Sequence, residues 1–161
     1  MTNIRSKSCI SSSSGFTLIE VLVVIGIIAI LAAIVLVAVN PTRQFKLARD
    51  SQRTANVEAI VNAIHQNMSE HKGQFVCDGT PKPLPSSFTL IASSTDADHG
   101  DIAGCLVPDY IAAMPFDPSD PDASYESTTS YNTGYTFMQD ENGRITASSS
   151  GELTGTISAT Q

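Results

Sequence analysis

Residues 15–39 read G-F-T-L-I-E-V-L-V-V-I-G-I-I-A-I-L-A-A-I-V-L-V-A-V. The 24 residues from Phe16 to Val39 carry one charge, Glu20. A helix rises about 1.5 Å per residue, so the run is roughly 36 Å long, enough to cross a hydrocarbon core of about 30 Å. It is apolar on every side of the helical wheel, as a helix in lipid or inside a helical fibre must be. A secretory signal has a shorter apolar core, about 7–15 residues, with a small-residue cleavage site behind it. This run is too long for that, and Glu20 would be out of place. A carboxylate in the middle of a membrane costs at least about 2–3 kcal/mol, and less near the headgroups. Glu20 therefore either sits at an interface or meets a cation inside a protein assembly.

Residues 1–14, M-T-N-I-R-S-K-S-C-I-S-S-S-S, are polar, basic and serine-rich. This leader, then Gly15-Phe16, then Glu20 at the head of an apolar helix, resembles the N-terminus of type IV pilins and of the pseudopilins of type II secretion. The resemblance is tight over residues 1–40 and looser beyond. It implies cleavage between Gly15 and Phe16 by a prepilin peptidase and N-methylation of Phe16. It makes Glu20 the family's fifth-position glutamate, a residue for subunit assembly. It also implies a filament of copies of the chain, built on an inner-membrane assembly platform. The precursor would cross the cytoplasmic membrane once with its N-terminus in the cytoplasm. The assembled product would be a surface pilus or a pseudopilus of the cell envelope. Arg5 and Lys7 ahead of the run agree with that topology, whereas Arg43, Lys46, Arg49 and Arg53 behind it outnumber them and argue against it.

Cleavage gives Glu20 a partner. The new Phe16 amine lies about one helical turn from it, and a helix start points that amine away from its own glutamate. Between staggered chains, the amine of an incoming subunit reaches the Glu20 of one already in place. Each charge then relieves the burial of the other. The expected role of Glu20 is to set register during assembly.

Removing residues 1–15 takes away Arg5 and Lys7, so 9 basic residues against 16 acidic (net −7) become 7 against 16 (net −9). A chain this acidic is a poor nucleic-acid binder. The basic strip Arg43, Lys46, Arg49, Arg53 is read as pairing with acidic neighbours in a fibre, with DNA or anionic lipid as the alternative. Cys9 leaves with the leader, and Arg5 and Lys7 before it rule out a lipoprotein signal. Cys77 and Cys105 remain as a pair in an exported segment, where disulfides persist. Their bridge is the expectation, worth roughly 3–4 kcal/mol by the chain-entropy argument. Two partly buried thiols are the alternative.

Asn40-Pro41 closes the apolar run and predicts a kink or break near Val39. Beyond it Val57, Ile60, Val61, Ile64 and Met68 form one stripe at helical spacing, beside a small-residue row of Ala55, Ala59 and Ala63. Gly73 is placed to end this helix. Residues 73–132 read as irregular, broken by Pro81, Pro83 and Pro85. Ser86–Ala92 and Leu106–Ala113 are each a short helix or a turn, and 96–104 is an exposed loop. From Gly134 the period becomes two. Tyr135 and Phe137, then Ile145 and Ala147, flank Asp140-Glu141-Asn142-Gly143, a strand–turn–strand pattern. Leu153–Ser158 is a third strand or a tail.

The expected fold is α+β. A long N-terminal helix has a membrane or fibre-core half and an amphipathic half, with a small C-terminal antiparallel sheet packed on it. Pilins and pseudopilins share that layout. The expected segments are leader 1–15, apolar helix 16–39, amphipathic helix 40–73, and a loop-rich region with a hairpin, 74–161.

Other candidate sites are weaker. Asp117, Asp120 and Asp122 in M-P-F-D-P-S-D-P-D offer oxygens to a hard cation such as Ca²⁺. The resemblance points the same way, since major pseudopilins carry calcium in their C-terminal loops. The spacing matches no EF-hand loop, and a solvated acidic turn is the expectation. His65, His71 and His99 have no metal-ligand spacing and read as surface residues. No catalytic constellation is evident, so a structural subunit is expected rather than an enzyme. The alternatives are a pseudopilin of a secretion or competence system and a signal-anchored exported binding domain.

Overall fold

The computed structural model describes residues 15–93 and 99–161. By contacts the chain forms two compact units, divided between Pro41 and Thr42.

The first unit is α1, Leu18–Val39. Thr17 caps it: its hydroxyl accepts from the Glu20 N–H at 3.3 Å, while the Glu20 carboxylate accepts from the Thr17 N–H at 3.1 Å. This reciprocal capping box satisfies two N–H groups that a helix start otherwise leaves open. None of the 22 residues of α1 is buried. The helix ends where proline predicts, at Asn40, whose φ of 43° and ψ of 81° lie in the left-handed region.

The second unit is built on α2, Pro41–Glu70. Its stripe Val57, Ile60, Val61, Ile64 and Met68 is buried, as the helical spacing requires. Against it lies a five-stranded antiparallel sheet of β3 (Thr89–Ala92), β4 (Ser124–Ser127), β5 (Ser130–Gln139), β6 (Ile145–Ser150) and β7 (Thr156–Thr160). The order is β3-β5-β6-β7, and β4 also pairs with β5. Alternate residues Tyr131, Thr133, Tyr135 and Phe137 of β5 point inward. The register sets Phe137 opposite Ala147 and Ala147 opposite Ala159, so one face of the sheet meets the α2 stripe. The turn from β5 to β6 is of the three-residue kind. Gly143 takes φ 84° and donates to the Asp140 carbonyl at 2.9 Å.

The stretch 73–132 departs from the expected irregularity. Val76–Cys77 (β1) and Thr80–Pro81 (β2) make a small hairpin on Asp78-Gly79, both at positive φ as a tight primed turn requires. Ser86–Ala92 holds strand β3 rather than a helix, and its Ile91 and Ala92 are buried. Four residues are too few to display a period, so the neighbouring β5 decides its state. β4 was also missed. A short helix α3 spans Ala103–Leu106, ahead of the expected Leu106–Ala113. It stops because Pro108 holds Val107 extended, at φ −98° and ψ 132°. Residues 96–98 of the expected loop lie outside the described residues. Of the rest, Ile102 and Ala103 are core rather than exposed. The Tyr131 hydroxyl accepts from both their N–H groups and donates to Asp101.

Candidate functional site

The first site is the junction of leader and helix. Gly15 and Phe16 are exposed and non-helical, directly ahead of the Thr17 cap. The cap draws the Glu20 carboxylate back over the first turn, where it accepts from both the N–H and the hydroxyl of Thr17, at 3.1 and 2.9 Å. Glu20 is thus hydrogen-bonded within its own chain, through Thr17. The T-x-x-E spacing of Thr17 and Glu20 is itself a capping-box signal in the sequence. Behind it α1 has a mean hydropathy of 3.4 and is long and apolar enough to cross a membrane.

Residues 10–36 match the prokaryotic N-terminal methylation motif. This motif is the class III signal of type IV pilins and pseudopilins, and here it spans the end of the leader, Gly15-Phe16, Glu20 and most of α1. The methylation motif and the apolar helix together fit a membrane-anchored precursor. No curated protein and no solved structure matches the chain.

The second cluster lies within the unit that follows Pro41. The basic strip does not stay at the surface as expected. Arg53 is 3% exposed and turns inward. Its Nε and Nη2 hold the two oxygens of Asp117 at 2.7 and 2.9 Å, and its Nη1 holds Asp50 at 2.8 Å. Arg49 grips Glu152 with two bonds, at 2.5 and 2.7 Å. Asp50 also accepts the N–H groups of Glu152 and Leu153, at 2.8 and 2.9 Å, which fastens the turn between β6 and β7 to α2. Those two N–H bonds, the Glu152 one foremost, and the Arg53 cation hold the Asp50 carboxyl at about 2. The Arg49 guanidinium holds Glu152 at about 2 as well. Burial pushes Asp117 up, but Arg53 and the N–H of Ser119 outweigh it and keep it below the usual carboxylate range. Arg49 and Arg53 therefore pair inside their own chain. The strip's spacing showed cations on one side of a helix; apart from Asp50 on the same helix, the partners of Arg49 and Arg53 come from loops around the sheet.

The aspartate turn is likewise not the freely solvated one expected. Asp117 is buried and committed to Arg53. Asp120 accepts the Asp122 N–H at 2.9 Å, a local turn bond. Gly134 takes φ 71° beneath this turn, and a Cβ there would come within 3.2 Å of Asp117 and 3.1 Å of Asp120. Among the described residues no three His, Cys, Asp or Glu side chains group as a metal site.

Cys77 and Cys105 are joined by a disulfide, their Cα atoms 4.7 Å apart and 28 positions apart in sequence. It ties the β1–β2 hairpin to α3. The histidines are not the surface residues expected. Each is half-buried. His65 and His71 meet main-chain oxygens at 3.0 and 2.7 Å, and the buried Nδ1 of His99 has no hydrogen-bond partner among the described residues.

Proposed function

We propose that this chain is the precursor of a structural subunit of a type IV pilus or pilus-like filament, a secretion pseudopilus included. A prepilin peptidase cuts between Gly15 and Phe16 and methylates the Phe16 amine. An inner-membrane platform then assembles the subunits through their N-terminal helices, with Glu20 receiving the amine of a neighbour. The observation that carries this reading is the methylation motif seated on a helix of 22 residues, none of them buried. Such a helix needs a cover, and lipid before assembly and other copies after it provide one. The capping box fits the sequence of events: Thr17 satisfies Glu20 while the subunit waits in the membrane.

Mass spectrometry of the cell-surface or envelope protein tests this. The expected N-terminus is methylated Phe16, and Gly15→Leu should leave an uncut precursor in the membrane. A mature chain that starts at Met1, or behind Ala38, overturns the proposal.

A further inference from the structure

We propose that two copies of the chain join through the open edges of their β7 strands, Thr156–Thr160, as an antiparallel pair about a twofold axis at Ser158. The contact is closed and does not propagate. It is therefore distinct from the contacts that build a filament, and it stands without the filament reading.

The pairing of β6 with β7 fixes which backbone groups of β7 point outward. Ile145 and Gln161 exchange both of their N–H···O bonds, at 2.8 and 3.0 Å, and at the other end the Gly151 N–H donates to the Gly155 carbonyl. In an antiparallel ladder such bonded pairs alternate with pairs that make no bond across it. Ala147–Ala159 and Ser149–Ile157 are therefore bonded pairs. Thr156, Ser158 and Thr160 turn their N–H and C=O groups away from β6. Among the described residues no strand meets these groups, since β7 ends the order β3-β5-β6-β7 and pairs with β6 alone.

The sheet guards its other edges. The Leu90 carbonyl of β3 accepts the Gly100 N–H at 2.7 Å, and His99 forms a parallel bridge to Leu90. β4 has four residues and a shifted register between Tyr125 and Ser127, with Glu126 at the shift. Covering segments, bulges and charges are the usual defences of an edge strand. β7 has a regular register over five residues. From Leu153 to Gln161 the sequence L-T-G-T-I-S-A-T-Q carries no charged side chain and no proline.

Charge and register select a second copy as the occupant. With 16 acidic residues against 9 basic, copies repel over most of their surface, and an uncharged edge is where they can approach. Turned about Ser158, β7 also matches itself. Ser158 meets Ser158 of the second copy, and Thr156 meets its Thr160. These are the residues whose backbone groups point outward, so each pair can exchange two N–H···O bonds. Their exposed hydroxyl side chains stand beside one another, a favourable cross-strand set. On the opposite face Ile157 meets Ala159 of the second copy, which continues the core-facing side of the sheet across the axis.

The test uses the full-length chain in detergent with Cys9→Ser, and reads disulfide-linked dimer after mild oxidation. Residues of a bonded pair lie about 5.5 Å apart at Cα, within reach of a disulfide. Ser158→Cys should link about tenfold faster than Glu141→Cys, which sits exposed on the β5–β6 turn. Copies with Thr156→Cys should link to copies with Thr160→Cys but not among themselves, because the twofold sets the two 156 positions about 13 Å apart. Ser158→Pro removes one outward N–H from each copy and leaves the bonds to β6 intact. It should lower the link between Thr156→Cys and Thr160→Cys copies by about tenfold. Thr156→Lys with Thr160→Lys sets like charges opposite each other and should lower the Ser158→Cys link as much, with the backbone unchanged. A Ser158→Cys link no faster than that of Glu141→Cys, Thr156→Cys copies that link among themselves as readily, or links indifferent to the proline and the lysines overturn the contact. Capture of another protein in place of the second copy overturns it as well. The readout needs no filament, so its failure leaves the filament reading in place.

Discussion

At the scale of the residue, Arg53 has the largest leverage in the second unit. Its guanidinium is the counter-charge for Asp50 and Asp117, both buried. Replacing one partner of a buried pair leaves the other charge stranded, which costs about 3–5 kcal/mol. Arg53→Met, close in volume, should therefore lower the melting temperature of the detergent-solubilised chain by roughly 10 °C or more. A melt superimposable on wild type would sink the assignment. The carboxylates make a second prediction. Asp50 and Glu152 sit at about 2 in the folded chain, against about 4 in an unfolded one. A depressed folded value means that the stabilisation is complete above about pH 4 and is lost as pH falls from there toward 2. Denaturant midpoints should be flat between pH 7 and 5 and fall below 4, and Glu152→Gln should flatten part of that fall. A midpoint that instead declines between pH 7 and 5 would point to a different titrating group. The sequence placed Arg53 on a basic strip because four cations at intervals of three or four look alike on a helix. Which of them turns inward depends on loops 60 to 100 residues away.

At the scale of the element, the disulfide joins pieces that cannot stand alone. β1 has two residues and α3 has four, well below the lengths at which either structure persists by itself in water. Replacing Cys77 and Cys105 by Ser should cost about 2–4 kcal/mol. Hydrogen exchange should then speed up from Val76 to Leu106 while β5 and β6 stay protected. Uniform loss of protection across the sheet would show that the bridge supports the whole unit rather than this flank. Elements with a long or strict pattern were legible beforehand: α1 from its composition, α2 from its stripe, β5 and β6 from their alternation around Gly143. The β1–β2 hairpin had a signal in Asp78-Gly79 that the prolines around it obscured. β3 and β4 had none, because four residues carry too little pattern to separate strand from turn.

At the scale of the whole molecule, the two units pose opposite problems. The second buries its own apolar stripe under its own sheet, whereas α1 has no buried residue. On the function proposed above, assembly is the step at which Glu20 matters. In lipid its capping bonds to Thr17 and the nearby headgroups satisfy it, so Glu20→Ala should leave precursor level and cleavage normal. Among packed apolar helices a stranded Phe16 amine is costly, and Glu20→Ala should yield few or no filaments. Glu20→Gln should be intermediate, since its amide oxygen still accepts a hydrogen bond without the charge. Equal filament yield from Glu20→Ala at equal subunit level would show that no amine–carboxylate pairing drives assembly.

The sequence alone determined the parts that follow from local chemistry. A glycine, a lone carboxylate and an apolar run at set spacings carry the methylation motif matched over residues 10–36, because spacing and hydropathy are local properties of the chain. The α2 stripe and the β5–β6 hairpin are local for the same reason: period and turn chemistry are written within about twenty residues. Tertiary structure decided the rest. It turned Arg53 from a surface cation into a buried counter-ion, took Asp117 from a solvated turn to its partner, and drew Thr89–Ala92 and Ser124–Ser127 into the sheet. In each case the deciding contact joins segments far apart in the chain, and long-range pairing leaves no periodic trace in the sequence of either partner.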